Sequence, residues 1–102
     1  ENKNFVITSP LGYNDFLSLV SNCKNVWTDS GGIQEETSFL GVRCITLREN
    51  TERPETVNLG TNILLSPSKS AIITTKNILP STQNNEIPLW DGKTSQRIIK
   101  YL

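Results

Sequence analysis

The chain has 102 residues, 10 Lys+Arg against 10 Asp+Glu and 35% hydrophobic residues, which is room for one small domain. The even charge argues against a nonspecific nucleic-acid binder or a polybasic membrane binder, and no apolar run approaches the roughly 20 residues of a membrane span. There is no His, so a Ser-His-Asp or Cys-His centre and the usual histidine metal sites are excluded from this segment. The start, Glu-Asn-Lys-Asn, is neither an initiator Met nor a secretory signal, and reads as a cut through a longer chain.

Short β-like runs alternate with helical ones, which predicts an α/β fold with a largely parallel sheet. Asn4–Thr8 (NFVIT) is the first predicted strand, ended by Ser9-Pro10-Leu11-Gly12. Tyr13–Asn22 follows as a helix, with Tyr13, Phe16, Leu17, Leu19 and Val20 near helical spacing. Asn25–Thr28 is a second strand, too short and apolar for an exposed edge. Asp29-Ser30-Gly31-Gly32 breaks it, and Ile33–Leu40 is a helix stopped by Gly41.

Arg43–Leu47 is the third strand, followed by the polar stretch Arg48–Pro54. Pro54–Asn58 forms a brief helical turn with Pro at its first position, and Thr61–Leu65 is the fourth strand. Ser68–Leu79 carries a helical stripe through Ala71, Ile72, Thr75, Ile78 and Leu79. Pro80–Pro88 is a loop, and Gly92–Leu102 is a short helix docking through Ile98, Ile99, Tyr101 and Leu102. The sheet is expected to continue upstream of residue 1. Cys23 and Cys44, with no CxxC, read as small apolar residues in a reducing compartment, a disulfide or redox site being the alternative.

Two segments carry chemistry. In Val26–Glu36 a strand runs out, two glycines follow and a helix begins, so free N–H groups and the helix dipole face the crevice at the strand's carboxyl end. Gly31 and Gly32 allow phosphate oxygens near the backbone, and Ser30 adds a hydroxyl. The alternative is a plain N-cap with two turn glycines, but Ile33 stands where a capping box needs Glu or Gln. At about 100° per residue, with Ile33 as zero, Thr37 falls near +40° and Leu40 near −20°, so Glu36, near −60°, sits on the flank of that buried face and Glu35, near 200°, on the far side. A carboxylate at Glu36 suits ribose hydroxyls; the alternative is a solvated helix acid. The second segment, Leu47–Glu55, leaves the third strand on the same rim. Its two guanidinium groups, Arg48 and Arg53, can clamp a diphosphate, or the loop is a solvated one with internal ion pairs.

TDSGGIQEE (28–36), Leu40-Gly41 and LRENTERPETVNLGTN (47–62) together resemble the non-hydrolysing UDP-N-acetylglucosamine 2-epimerases, and WDGKTSQRI (90–98) is similar to the start of that family's C-terminal helix. The likeness runs from about Phe5 to the end. It implies a Rossmann-like parallel sheet within a glycosyltransferase B fold. Residues 1–102 would be part of the C-terminal UDP-binding domain, with 80–102 a closing loop and helix. It also implies interconversion of UDP-N-acetylglucosamine and UDP-N-acetylmannosamine by elimination and re-addition of UDP.

By the same resemblance Ser30 and Gly31 hold the diphosphate, with Gly32 beside them in the substrate site, Glu36 holds the ribose and Phe16 lies on the uracil side. Arg53 lies at the phosphate or sugar side and acts electrostatically. No metal or cofactor is expected. The acid/base residues would lie outside this chain, leaving it inactive alone. The implied partners are the UDP-sugar, the remainder of the parent chain and a second copy, in the cytoplasm, serving cell-surface polysaccharide synthesis. Thr37-Ser38-Phe39 and Val42-Arg43 depart from the family pattern. A related glycosyltransferase, a hydrolysing epimerase and a non-catalytic UDP-binding module are the rival readings.

Overall fold

Val26-Trp27, Cys44-Ile45 and Ile63-Leu64 are β-prone pairs, and each becomes the heart of a strand. The computed structural model describes residues 3–75 and 86–102. Within them β1 (Asn25–Thr28), β2 (Arg43–Thr46) and β3 (Asn62–Leu64) form a parallel sheet in the order β1-β2-β3. The register pairs Thr28 with Thr46, and Thr46 with Leu64. All three carboxyl ends therefore meet on one rim. There the ladder runs on, with the Leu47 N–H donating to the Thr28 carbonyl (2.8 Å) and the Leu65 N–H to the Thr46 carbonyl (2.9 Å).

Five helices accompany the sheet: α1 (Tyr13–Asn22), α2 (Gly31–Leu40), α3 (Pro54–Asn58), α4 (Lys69–Thr74) and α5 (Thr94–Ile99). The bounds of α1, β1 and α3 are those the sequence predicts. Helix α2 starts two residues before its predicted Ile33, because Ser30 takes the extended cap conformation (φ −85°, ψ 135°) and the glycines join the first turn. It ends as predicted at Gly41, whose φ of 73° a side chain would resist. Helix α4 is capped by Ser68, whose Oγ accepts the Ala71 N–H at 3.2 Å. Ile78, Leu79 and most of the predicted 80–88 loop lie outside the described residues.

Four expectations are corrected. Asn4–Thr8 forms no strand: Phe5, Val6 and Ile7 are 72%, 78% and 85% exposed. Strand composition alone cannot fix a backbone that has no neighbouring ladder to pair with. Strand β1, expected inside a sheet, stands at its edge among the described residues, with Trp27 exposed. Ile98, Ile99, Tyr101 and Leu102 are exposed rather than docked; the C-terminal region instead buries Ile87 and ties Arg97 to Asp91 by an ion pair.

The fourth correction is the inward face of α2. Ile33 and Leu40 are only partly covered, whereas Gln34, Thr37 and Ser38 are buried. Beneath the rim the core is accordingly polar. Buried Val42, Cys44 and Ile45 are joined there by Gln34, Thr37, Thr46, Thr56, Thr61 and Asn62. Both cysteines are free thiols, as the apolar reading expects, and burial pushes the Cys44 thiol up. Among the described residues no helix is long and apolar enough to cross a membrane.

Candidate functional site

Helix α2 springs from the rim. The last residue of β1, Thr28, accepts the Ser30 N–H on its Oγ1 at 3.0 Å and so turns the chain into the helix. Ser30 itself is exposed, and its side chain makes no cap hydrogen bond. That leaves its hydroxyl available at the open end of a ten-residue helix. A Cβ at Gly32 would meet nothing within 4 Å, and one at Gly31 would meet only Glu52 Oε2, at 3.9 Å. The space over both glycines is thus clear for a ligand atom, apart from one carboxylate.

That carboxylate belongs to the loop leaving β2. Arg48 grips Glu52 with two parallel hydrogen bonds, Nη2 to Oε1 at 2.7 Å and Nη1 to Oε2 at 3.1 Å. The guanidinium beside it holds the Glu52 carboxyl down to about 2, and Asp29 adds to the field on Arg48. A negative group so close to the helix start is also favoured by the dipole. Arg53 pairs elsewhere: its Nε lies 2.9 Å from Glu35 Oε1, an ion pair without hydrogen-bond alignment. The loop thus has one internal ion pair among the described residues, Arg48–Glu52, while Arg53 pairs outside it with helix α2. Glu35, expected on the far side of α2, is the acid that reaches it.

Phe16 and Glu36 do not share a cavity, although both sit in the seam between α1 and α2. Glu36 is on the wall of a mainly apolar cavity of about 410 Å³, with Tyr13, Leu17, Phe39 and Trp90. Phe16 lines another, of about 450 Å³, together with Trp27, Thr28 and Ile33. The latter abuts the end of β1 and hence the rim.

Under the rim lies a feature that the sequence reading missed. Gln34 is fully buried; its Nε2 donates to the Ser30 carbonyl (3.3 Å), and its Oε1 accepts from Thr51 Oγ1 (2.6 Å) and Asn62 Nδ2 (2.9 Å). Asn62 also donates to Thr56 Oγ1 (3.1 Å) and accepts from Thr46 Oγ1 (2.6 Å). Thr51 Oγ1 takes the Arg53 N–H (2.9 Å), and Thr56 Oγ1 donates to the Arg53 carbonyl (2.7 Å). Glu35 and Glu36 were the available signal. Charged groups avoid burial, so the arc of α2 opposite them, which holds Gln34, Thr37 and Ser38, has to face inward.

The family sequence model described as UDP-N-acetylglucosamine 2-epimerase matches residues 1–102. The chain belongs to this family. It is 46% identical over 102 residues to the UDP-N-acetylglucosamine 2-epimerase of Methanocaldococcus jannaschii, covering 99% of this chain and 28% of that relative. The Pseudomonas aeruginosa UDP-2,3-diacetamido-2,3-dideoxy-D-glucuronate 2-epimerase is 35% identical over 98 residues, which is 94% of this chain and 28% of the relative.

Among solved structures, the chain resembles the Methanocaldococcus UDP-GlcNAc 2-epimerase in complex with UDP-GlcNAc and UDP, with TM-score 0.83 and 46% identity over 98% of this chain and 28% of that one. The epimerase of Neisseria meningitidis bound to UDP-GlcNAc is also similar, with TM-score 0.62 and 41% identity over 67% of this chain and 19% of that one. The chain thus spans 28% of the curated relatives it matches. Its sheet and helices are part of a Rossmann-like unit of their glycosyltransferase B fold.

Proposed function

We propose that the chain is the UDP-binding part of a longer UDP-N-acetylglucosamine 2-epimerase, from its C-terminal domain. The observation that carries this is the likeness, over 98% of the chain, to an epimerase structure holding UDP-GlcNAc and UDP. The clear space over Gly31 and Gly32 at the start of α2 supports it. In this reading Ser30, Gly31 and Gly32 face the diphosphate, Glu36 binds the ribose hydroxyls and Phe16 packs on the uracil side. Arg53 works electrostatically.

The chemistry gives these roles a purpose. Breaking the C1–O bond puts charge on the departing UDP, and donors fixed in advance stabilise that charge where it grows. The same donors keep UDP in place to return after the sugar's C2 configuration has changed. Proton removal and return at C2 fall to residues outside this chain. The purified 102-residue chain should therefore show no turnover of UDP-N-acetylglucosamine, and detectable epimerisation by it would refute that division of labour.

The binding assignment is tested by titrating UDP into the full-length protein in a calorimeter. Ser30→Ala combined with Glu36→Ala should weaken binding by about 1–3 kcal/mol, the range for losing buried hydrogen-bond partners. Unchanged affinity would sink the assignment. A second reading, a different UDP-linked amino sugar, is favoured by the 35% identity to an enzyme named for a diacetamido glucuronate. Comparing both UDP-sugars as substrates separates the two. The full-length protein is further proposed to be a cytoplasmic homodimer.

A further inference from the structure

We infer that Gln34 is a positioning residue that sets Arg53 in register with the first turn of α2, acting through Thr51 and Asn62. The inference deepens, and rests on, the UDP reading of the rim. Gln34 is fully buried, and each of its two polar atoms is engaged. One end holds the Ser30 carbonyl at the helix cap; the other holds Thr51, which takes the Arg53 N–H, and Asn62, which reaches the Arg53 carbonyl through Thr56.

The direction of every proton in this circuit is determined. Thr51 Oγ1 accepts the Arg53 N–H, so its own proton goes to Gln34 Oε1. Thr56 Oγ1 accepts from Asn62 Nδ2, so its proton goes to the Arg53 carbonyl, which also takes the Thr56 N–H at 3.0 Å. Hydroxyls with one donor and an occupied lone pair have a single rotamer that satisfies both bonds. The Arg53 backbone is therefore clamped at its N–H and at its C=O. The next residue on the same helix, Glu35, holds the guanidinium. Two consecutive residues of α2 thus bear on Arg53, Gln34 on its backbone through Thr51, Asn62 and Thr56, and Glu35 on its guanidinium by charge.

This matters because the pieces it joins are otherwise loosely held. Ser30 is exposed at the start of α2, and the loop carrying the exposed Glu49, Asn50 and Glu52 has no strand or long helix of its own. An anion gripped from one side by the helix start and from the other by Arg53 needs both to be placed within a fraction of an ångström. Glutamate at position 34 could not substitute. It would lose the donor to the Ser30 carbonyl and bury a charge.

Kinetics of epimerisation by the full-length protein test the inference. Thr51→Val cuts the link between Gln34 and Arg53 in a half-buried loop, and Thr51→Ser keeps it. The expected result is a fall in kcat of about tenfold for Thr51→Val, with KM within about twofold, the split of an interaction tightening as charge develops. Thr51→Ser should restore kcat to within about twofold. Gln34→Met should repeat the Thr51→Val pattern; should it fail to fold, the Thr51 pair decides alone.

Combining Thr51→Val with Arg53→Ala should be no worse than Arg53→Ala by itself, since both act through one group. Additive losses, unchanged kcat in Thr51→Val, or an inert Arg53→Ala would each overturn the inference. Failure of the UDP reading is seen separately, as unchanged UDP affinity in the Ser30→Ala, Glu36→Ala variant.

Discussion

Glu52 and Arg48 show how far a single residue's state can be set by its neighbour. The bidentate grip holds the carboxyl at about 2 against an ordinary 4.5, with the hydrogen bond from Arg48 as the leading cause. A carboxyl depressed on folding stabilises the fold above its ordinary pKa, and that contribution is lost as pH falls through about 2. An NMR titration should find the Glu52 midpoint near 2 and, in Arg48→Ala, a midpoint returning toward 4.5. An unmoved midpoint would show that the backbone contacts, not Arg48, depress it. At this scale the sequence marks the rim residues well, because Ser30, Gly31, Gly32 and Arg53 stand in a long specific motif. It does not mark Gln34, whose partners Thr51 and Asn62 are 17 and 28 residues away and become neighbours only when the sheet has formed.

At the scale of elements, local rules suffice where an element carries its own signals. Pro54 opens α3 at its predicted residue, Gly41 closes α2, and the β-prone cores of β1, β2 and β3 are each found within a residue of their predicted bounds. They fail at Asn4–Thr8, where pairing was needed, and on α2, where apolarity pointed to Ile33 and Leu40 while the buried arc is polar. The seating of α3 on α2 depends on a position that neither pattern singles out. A Cβ on Gly60 would lie 2.5 Å from Ser38 Oγ and 2.7 Å from the Thr56 carbonyl. The Thr56 backbone is tied down, because the side chain and N–H of Thr56 itself bond the Arg53 carbonyl. Gly60→Ala should therefore destabilise the protein by roughly 1–3 kcal/mol in a denaturant titration, the cost of overpacking. A neutral effect would mean that α3 lifts freely from α2.

For the whole molecule, the chain's share of its relatives sets the terms. It spans 28% of the curated epimerases it matches, and the groups proposed to bind UDP stand on its rim. The proposed division leaves proton transfer to the rest of a longer protein. What the described residues do contain is a small sheet whose interior under the rim is held by hydrogen bonds between side chains as much as by apolar packing.

That interior has a thermal consequence. Exposing apolar surface on unfolding raises the heat capacity, and exposing polar surface lowers it. A core shared between Ile45, Cys44 and Val42 on one side and Gln34, Asn62 and four threonines on the other draws on both terms, and they oppose each other. Scanning calorimetry should return an unfolding heat-capacity increment below the usual value of about 12–15 cal/mol/K per residue. A value at or above that range would contradict the polar interior. A small increment flattens the stability curve against temperature, so the fold that brings the start of α2 to Arg53 would keep nearly the same margin against unfolding on warming or cooling.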